Sequence, residues 1–320
     1  MKTIIKKTSE LTEHEIQSFL NCHDNVFEGH GTTVDSFKCM YNNTCVGYSI
    51  ISLLLDNNEN VCGGMIAVPF YYDVNGEQLL FAFGSALMIK KEHRQGFTNL
   101  LTVMRSIFQG MKDNGVTVFF NFPNDNSDIV YQKLIRTKRI AMLDTYILPY
   151  KVGAYKKMAI LNPFSMLFSK CMFGLAKCFN SKKTYSYPIA KSRPIFEDTR
   201  YQWRTGVYQH YKDDDMQCYW RITDFEGIKA CFLAEVYPMS QRNFNKAVRE
   251  MFKASHKECG LFLYVGLLPF KQYTMMKVPH KYEPKKFRFD VKILDPSKVN
   301  EEMILNVNNW EVDLSSYDLV

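Results

Sequence analysis

Between Leu79 and Tyr131 the chain sets a glycine turn and a second polar turn among apolar runs, at a spacing suited to holding a phosphate. The first turn is His93-Arg94-Gln95-Gly96-Phe97-Thr98. It follows the apolar run Leu79–Lys90. It precedes Leu100, Leu101, Met104, Ile107, Phe108 and Met111, which recur at helical spacing until Asn114-Gly115 ends the stripe. A glycine turn entering a helix offers unpaired backbone N–H groups and the positive end of the helix dipole to an anion. A second apolar run, VTVFFNF, ends in Pro123-Asn124 and leads into DNSDIVYQKLI. An active site is expected between the ends of these two strands.

Holding two strand ends side by side takes a sheet, and the upstream sequence supplies one. Thr3 to Lys6 reads as a short strand, and Thr12 as the cap of a helix through Ile16, Phe19 and Leu20. A glycine-broken loop at residues 25–31 follows, then a short helix from Val34 to Tyr41. Val46–Leu55, Val61–Tyr72 and Leu79–Lys90 are strands, the last two joined by the hairpin turn Val74-Asn75-Gly76-Glu77. The predicted order is β-α-α-β-β-β-α-β-α.

Composition sets wide bounds. With 320 residues, 46% of them hydrophobic and 23% charged, the chain is an ordinary globular one, long enough for about two domains of roughly 150 residues. The net charge of +7 suits an anionic ligand or a membrane surface, and equally a solvated lysine face. No nucleic-acid module accompanies it. Nine cysteines, odd in number and never in CxxC, read as reduced buried thiols rather than a disulfide or zinc framework. The start, MKTIIKKTSELTEHE, has no signal-peptide core, so a cytoplasmic location is expected.

This order of elements and these turns resemble the GNAT superfamily of acyl-CoA-dependent N-acyltransferases, most closely the branch found in bacterial surface-polysaccharide gene sets. The family's turn reads Arg/Gln-x-x-Gly-x-Gly/Ala. Here Gly96 keeps the key position, followed by Phe97 and Leu101, while His93 and Thr98 depart from the pattern. The stretch VFFNFPNDNSDIVYQKL matches the family's FPN-x-x-S…Y-x-K-L, although Ile135-Arg136 stand where a glycine would follow the leucine. The resemblance implies a fold of mixed α/β (α+β) class: a mostly antiparallel GNAT-like central sheet flanked by helices. It covers residues 1–150 well and the remainder loosely.

The same resemblance implies acetyl-CoA, or another acyl-CoA, as co-substrate, with no metal. Arg94, Gln95, Gly96, Phe97, Thr98 and Asn99 would cradle its pyrophosphate. Leu87, Met88 and Ile89 on the strand, with Asn124 and Ser127, would hold the remainder. Tyr131 falls where a family tyrosine protonates the leaving thiolate. The acceptor is expected to be a small-molecule amine, such as an amino-sugar on a nucleotide or lipid carrier. Ser85 stands where the branch often has an Asp, and Tyr41 lies among its acceptor-side helices. Glu28 is the candidate general base by location, with His30 nearby; a solvated loop acid is an equal reading of Glu28, and packing an equal reading of Tyr131. Direct transfer needs positioning, a base and a polarised carbonyl rather than a covalent nucleophile.

The expected domains are 1–152, carrying the cofactor site, a linker with a helix at 153–200, and a C-terminal half at 201–320. Within the linker, Phe164, Leu167, Phe168, Cys171, Met172, Leu175 and Phe179 recur at helical spacing among lysines. This 164–179 stretch reads as a helix packed between the halves or lying on an anionic membrane surface. The C-terminal half reads as strands at Gln217–Thr223 and Gly227–Val236, a helix at Ser240–Lys257, and strands at Leu261–Val265 and Lys286–Leu294. It looks like a second, degenerate GNAT-like half, because Tyr237-Pro238-Met239-Ser240 lacks the phosphate-binding glycine. Arg204, in a WR…Y stretch, is a candidate for binding an acceptor phosphate or carboxylate, and a structural ion pair is an equal reading. Two other functions remain open: a Fem-type aminoacyltransferase and a catalytically inactive GNAT-fold binding protein. Oligomeric state is left open.

Overall fold

The computed structural model describes residues 1–27, 31–94, 96–151, 153, 159–193, 208–225 and 227–317. Its strands are β1 (Lys2–Lys7), β2 (Ile50–Leu55), β3 (Val61–Val74), β4 (Glu77–Ile89), β5 (Val118–Asn121), β6 (Lys138–Met142) and β7 (Asp144–Pro149). They continue as β8 (Ile189–Lys191), β9 (Gln209–Lys212), β10 (Gln217–Phe225), β11 (Ile228–Tyr237), β12 (Leu261–Gly266), β13 (Met276–Lys277) and β14 (Arg288–Ile293). The helices are α1 (Glu13–Phe27), α2 (Val34–Asn42), α3 (Thr98–Asp113), α4 (Asp125–Ile129), α5 (Asn162–Cys178), α6 (Gln241–Ser255) and α7 (Glu301–Leu305). Val130–Ile135 continues α4 as a π-helical turn.

Two compact units result. One comprises Met1–Ala141, Pro188–Arg204 and Arg288–Trp310; the other comprises Met142–Tyr187, Thr205–Phe287 and Glu311–Val320. The first unit's sheet runs β1-β2-β3-β4-β5-β14-β6, with β8 beside β3, and the second unit's runs β13-β7-β12-β11-β10-β9. Neither unit is a contiguous stretch of chain. The Lys286–Leu294 strand, expected in the second half, pairs as β14 with β5 through Asp290↔Asn121 and its neighbours. Conversely β7, from the early sequence, pairs with β12. Strand propensity is local, whereas the choice of partner depends on which sheet has an open edge, so sequence alone leaves this exchange unread.

In the first unit β3 and β4 form the expected hairpin, with Asn75 (φ 52°) and Gly76 (φ 89°) supplying the left-handed pair that a two-residue hairpin turn requires. The α3 stripe behaves as predicted: Met104, Ile107 and Met111 pack with Ile50, Leu54, Met65, Ala82 and Phe119 in one core. On the sheet's other face Tyr72, Phe81, Phe120 and Phe289 gather around the buried Trp310, with ring centroids between 5.1 and 6.3 Å from its own. Two packed faces on one sheet make β4 and β5 rigid supports for whatever lies at their ends.

Candidate functional site

The site starts where β4 and β5 part. They are parallel and in register at Phe81↔Val118, Ala82↔Phe119 and Phe83↔Phe120. Beyond that β4 runs on to Ile89, still paired on its other edge with β3 through Gly64↔Met88 and Gly63↔Ile89, while β5 ends at Asn121. Among the described residues, the β4 edge from Gly84 onward therefore has no neighbouring strand, and residues 84–87 are partly exposed in the opening this leaves. A bulge sits inside it: the register slips between Gly64 and Ile66, and Ala86 takes φ +52°. A non-glycine residue in the left-handed region and an extra residue in the ladder turn the strand and re-aim its peptide groups. Leu87, Met88 and Ile89 lie just past this bulge, and Ser85 just before it.

Two side chains keep the opening narrow at its base. A Cβ built on Gly84 would lie 2.7 Å from the Phe119 ring, so only glycine lets this ring approach β4. Tyr131 stacks on the far side of the same ring, at 6.3 Å between centroids and 20° between planes. Its side chain is 4% exposed. Burial, and then the negative charge of Asp290, push the Tyr131 phenol above its ordinary value. At neutral pH the hydroxyl keeps its proton.

Helix α3 begins next to the end of β4. Gly96 takes φ +64° with open space where a Cβ would be, and the residue before the helix, Phe97, makes no side-chain cap. The first in-helix bond runs from Leu101 N to Phe97 O at 2.8 Å, so the amides of the first turn remain for an anion. The turn is braced from beneath: Arg94 Nε donates to Ile89 O at 2.8 Å and Asn99 Nδ2 to His93 O at 2.9 Å. Arg94 and Asn99 thus shape the turn. Gln95 lies outside the described residues.

Asn124 and Ser127 have an occupation the sequence did not disclose. Asn124 caps α4, its Oδ1 accepting from Asn126 N at 3.1 Å and Ser127 N at 3.0 Å, and Ser127 Oγ accepts from Asn124 N at 3.1 Å. The FPN-x-x-S pattern is a capping box. Behind it lies an ion-pair lattice from chain segments far apart in sequence. The fully buried Asp290 accepts from Arg139 Nε at 2.8 Å, Thr137 Oγ1 at 3.1 Å and Gln132 Nε2 at 2.5 Å. Arg139 also pairs with Asp128, and Arg288 with Asp125 and Asp128. The lattice fixes the π-helical turn that carries Tyr131.

Sequence reasoning passed over Asn121. It is 2% exposed, and among the described residues neither its Oδ1 nor its Nδ2 has a hydrogen-bond partner. Alternation along β5 puts it on the face of Phe119 and Tyr131, at the end of the strand where the opening begins. A buried amide without partners is costly unless something completes it. The signal was present: Asn121 is the one polar residue within the apolar run VFFNF.

Other candidates are placed differently. Tyr41 is buried on α2 with its ring tilted on Phe37, at 4.9 Å between centroids. Glu28, His30 and Arg204 lie outside the described residues. Among the described residues no group of three or more His, Cys, Asp or Glu is placed to hold a metal ion. No described helix is long and apolar enough to cross a membrane.

No protein-family model matches the sequence, and no curated protein matches it. Solved structures do match. A GCN5-related N-acetyltransferase from Kribbella flavida superposes with a TM-score of 0.58 at 11% identity, covering 92% of this chain and 72% of that one. One from Anabaena variabilis gives 0.54 at 13% identity, with 91% and 73% covered. Eis1 from Mycobacterium abscessus gives 0.52 at 10%, with 95% and 76% covered. At such identities the likeness is one of fold: this chain has the two-half GNAT fold of structures known as N-acetyltransferases.

Proposed function

We propose that the chain is an acyl-CoA-dependent N-acyltransferase that moves an acetyl or similar acyl group onto a primary amine. The observation that carries this reading is the opening between β4 and β5, which ends at the unpartnered amide of Asn121. The uncapped α3 turn at Gly96 supports it as a phosphate holder. The residues fit the cofactor: amides at 97–100 for the pyrophosphate, the free edge of β4 for the pantetheine arm, and Asn121 for a polar group within it.

When bound, acyl-CoA supplies a thioester. The backbone N–H groups of the bulged β4 edge would be the donors to its carbonyl, favouring charge on that oxygen as the amine attacks. The Tyr131 hydroxyl would hold the proton for the departing thiolate. The acceptor amine must lose a proton, and Glu28 remains the assigned base by its place in the sequence. An amino-sugar is the acceptor class favoured by the sequence resemblance. A second reading, a GNAT-fold binding protein without turnover, draws on the capping roles of Asn124 and Ser127.

Calorimetry and thermal shift with acetyl-CoA and CoA test the cofactor half of the proposal. Saturable binding below millimolar concentration is expected, and its absence would remove the proposal. Thiol release is then followed across free amino-sugars, their nucleotide conjugates, polyamines and peptide N-termini. Binding without release on every acceptor favours the second reading.

A further inference from the structure

Helix α5 carries apolar side chains on its inward side and also on its outward side. Ser165, Ser169 and Ala176 are buried, and Met166, Met172 and Phe173 pack partly buried against the core of the second unit, whereas Phe164, Leu167 and Leu175 are 71, 62 and 53% exposed. Phe168, Cys171 and Cys178 lie on the same outward side, and Ile160 stands exposed just before the helix. Residues 164, 168, 171, 175 and 178 recur every three or four positions, so this is one continuous apolar strip. Large contiguous apolar strips on a surface mark something that covers them.

The rotation of the helix is pinned. Ser165 Oγ donates to Tyr150 O at 2.8 Å, and one turn later Ser169 Oγ donates to Pro149 O at 2.7 Å. At the other end Asn245 Nδ2 donates to Phe179 O at 2.8 Å and to Ala176 O at 3.3 Å. These bonds use carbonyls at the end of β7 and of the helix itself, and they hold the side of Ser165, Ser169 and Met172 inward. The apolar strip cannot turn in without breaking them.

Charge indicates the occupant. From Thr145 to Phe196 the sequence contains no Asp or Glu, while Lys170 and Lys177 stand exposed beside the strip and Lys182 and Lys183 follow it. A surface meeting this face has to accept phenyl and isobutyl groups at its centre and present negative charge at its edge. A bilayer containing anionic lipid does both. We propose that the outward face of α5 is a membrane-docking surface that seats the protein on anionic lipid without crossing it. The proposal is independent of the acyl-transfer reading.

Flotation with vesicles tests it. The wild-type chain should float with vesicles of phosphatidylcholine mixed with phosphatidylglycerol at least about tenfold more tightly than with phosphatidylcholine alone. Lys170→Glu with Lys177→Glu should erase that preference. The triple variant Phe164→Ser, Leu167→Ser, Leu175→Ser should lose about tenfold or more on anionic vesicles; as these side chains are exposed, its circular dichroism and melting should match wild type. In Leu167→Trp, the added fluorescence should shift to the blue and be quenched by brominated lipid. No flotation by wild type, equal flotation by the triple variant, or an unquenched indole signal in Leu167→Trp would each overturn the proposal. So would concentration-dependent self-association that the triple variant abolishes without any vesicle binding, which would make the strip a contact between copies.

Discussion

The chain builds the same strand-helix-strand arrangement twice. In the first unit β3 and β4 are antiparallel, α3 follows, β5 lies parallel to β4, and β14 closes the far side. In the second, β10 and β11 are antiparallel, α6 follows, β12 lies parallel to β11, and β7 closes the far side. The copies differ in what lies at the opened end. The α3 turn carries Gly96 and no cap, whereas α6 is capped by the buried Ser240, which accepts from Asn243 N at 3.0 Å. Beyond Leu233↔Tyr264 the second unit fills its own end: Asp313 bridges Gly266, and the buried turn Leu314–Ser316 packs there. One copy is left with unsatisfied amides and an unpartnered asparagine. The other has satisfied the equivalent groups within its own chain. Identical topology therefore leaves two different ends, one open and one filled.

The largest effect is expected from Tyr131, the proposed proton donor of the open copy. Tyr131→Phe keeps the ring stacked on Phe119 and removes only the hydroxyl. The turnover number should fall about a hundredfold or more while the KM for acyl-CoA holds. The pH behaviour carries a sign. Burial holds the Tyr131 phenol above its ordinary 10, so the unfolded chain ionises first. Its share of stability is complete below that value and is lost as pH rises beyond it, toward the higher folded value. Activity should thus show no alkaline loss from Tyr131 below about pH 10, and Tyr131→Phe should flatten the decline in stability above it. An unchanged turnover number would leave the residue a packing group.

Exchanging the two turns' chemistry comes next. Gly96→Asp places a carboxylate where the helix amides face an anion, and CoA should bind at least about tenfold more weakly, about 1.4 kcal/mol. The positive φ should also cost the fold about 1–2 kcal/mol. Ser240→Ala, at the matching place in the second unit, should cost about 1 kcal/mol of stability through the lost cap and leave CoA affinity unchanged. Calorimetry and urea unfolding on both variants read the two quantities separately. Equal losses of affinity would erase the distinction between the units.

How much of this could be read from the chain depends on the range of the cause. The β4–α3–β5 core was legible because hairpin turn, glycine turn and apolar stripe are each set by neighbours. The exchange of β7 and β14 was not, since it is decided by sheet edges far away in sequence. For the same reason Asp290 escaped notice, although it anchors Gln132 and Arg139 around the turn that bears Tyr131. Asn124 and Ser127 were legible as polar residues at a helix start, but their pattern fits a cap as well as a ligand site, and the backbone uses them as a cap. The α5 stripe was legible as apolar but not in its direction, because two serine hydroxyls and one asparagine fix which side turns inward.

Asn121 gives the smallest expected change and the sharpest one, because stability and function should move in opposite directions. In the free protein its amide is buried without partners, so Asn121→Leu, of nearly equal shape, should stabilise the first unit by about 1 kcal/mol in urea unfolding. If the amide is kept for a ligand, the same substitution should shrink the melting shift produced by CoA, since the ligand then meets an apolar side chain where it needs a polar one. The closed copy offers a control, because nothing at the end of β12 should respond to CoA. Greater stability with an undiminished CoA shift would mean that Asn121 answers only to the fold. The open end of β5 would then have to be explained by the α3 turn alone.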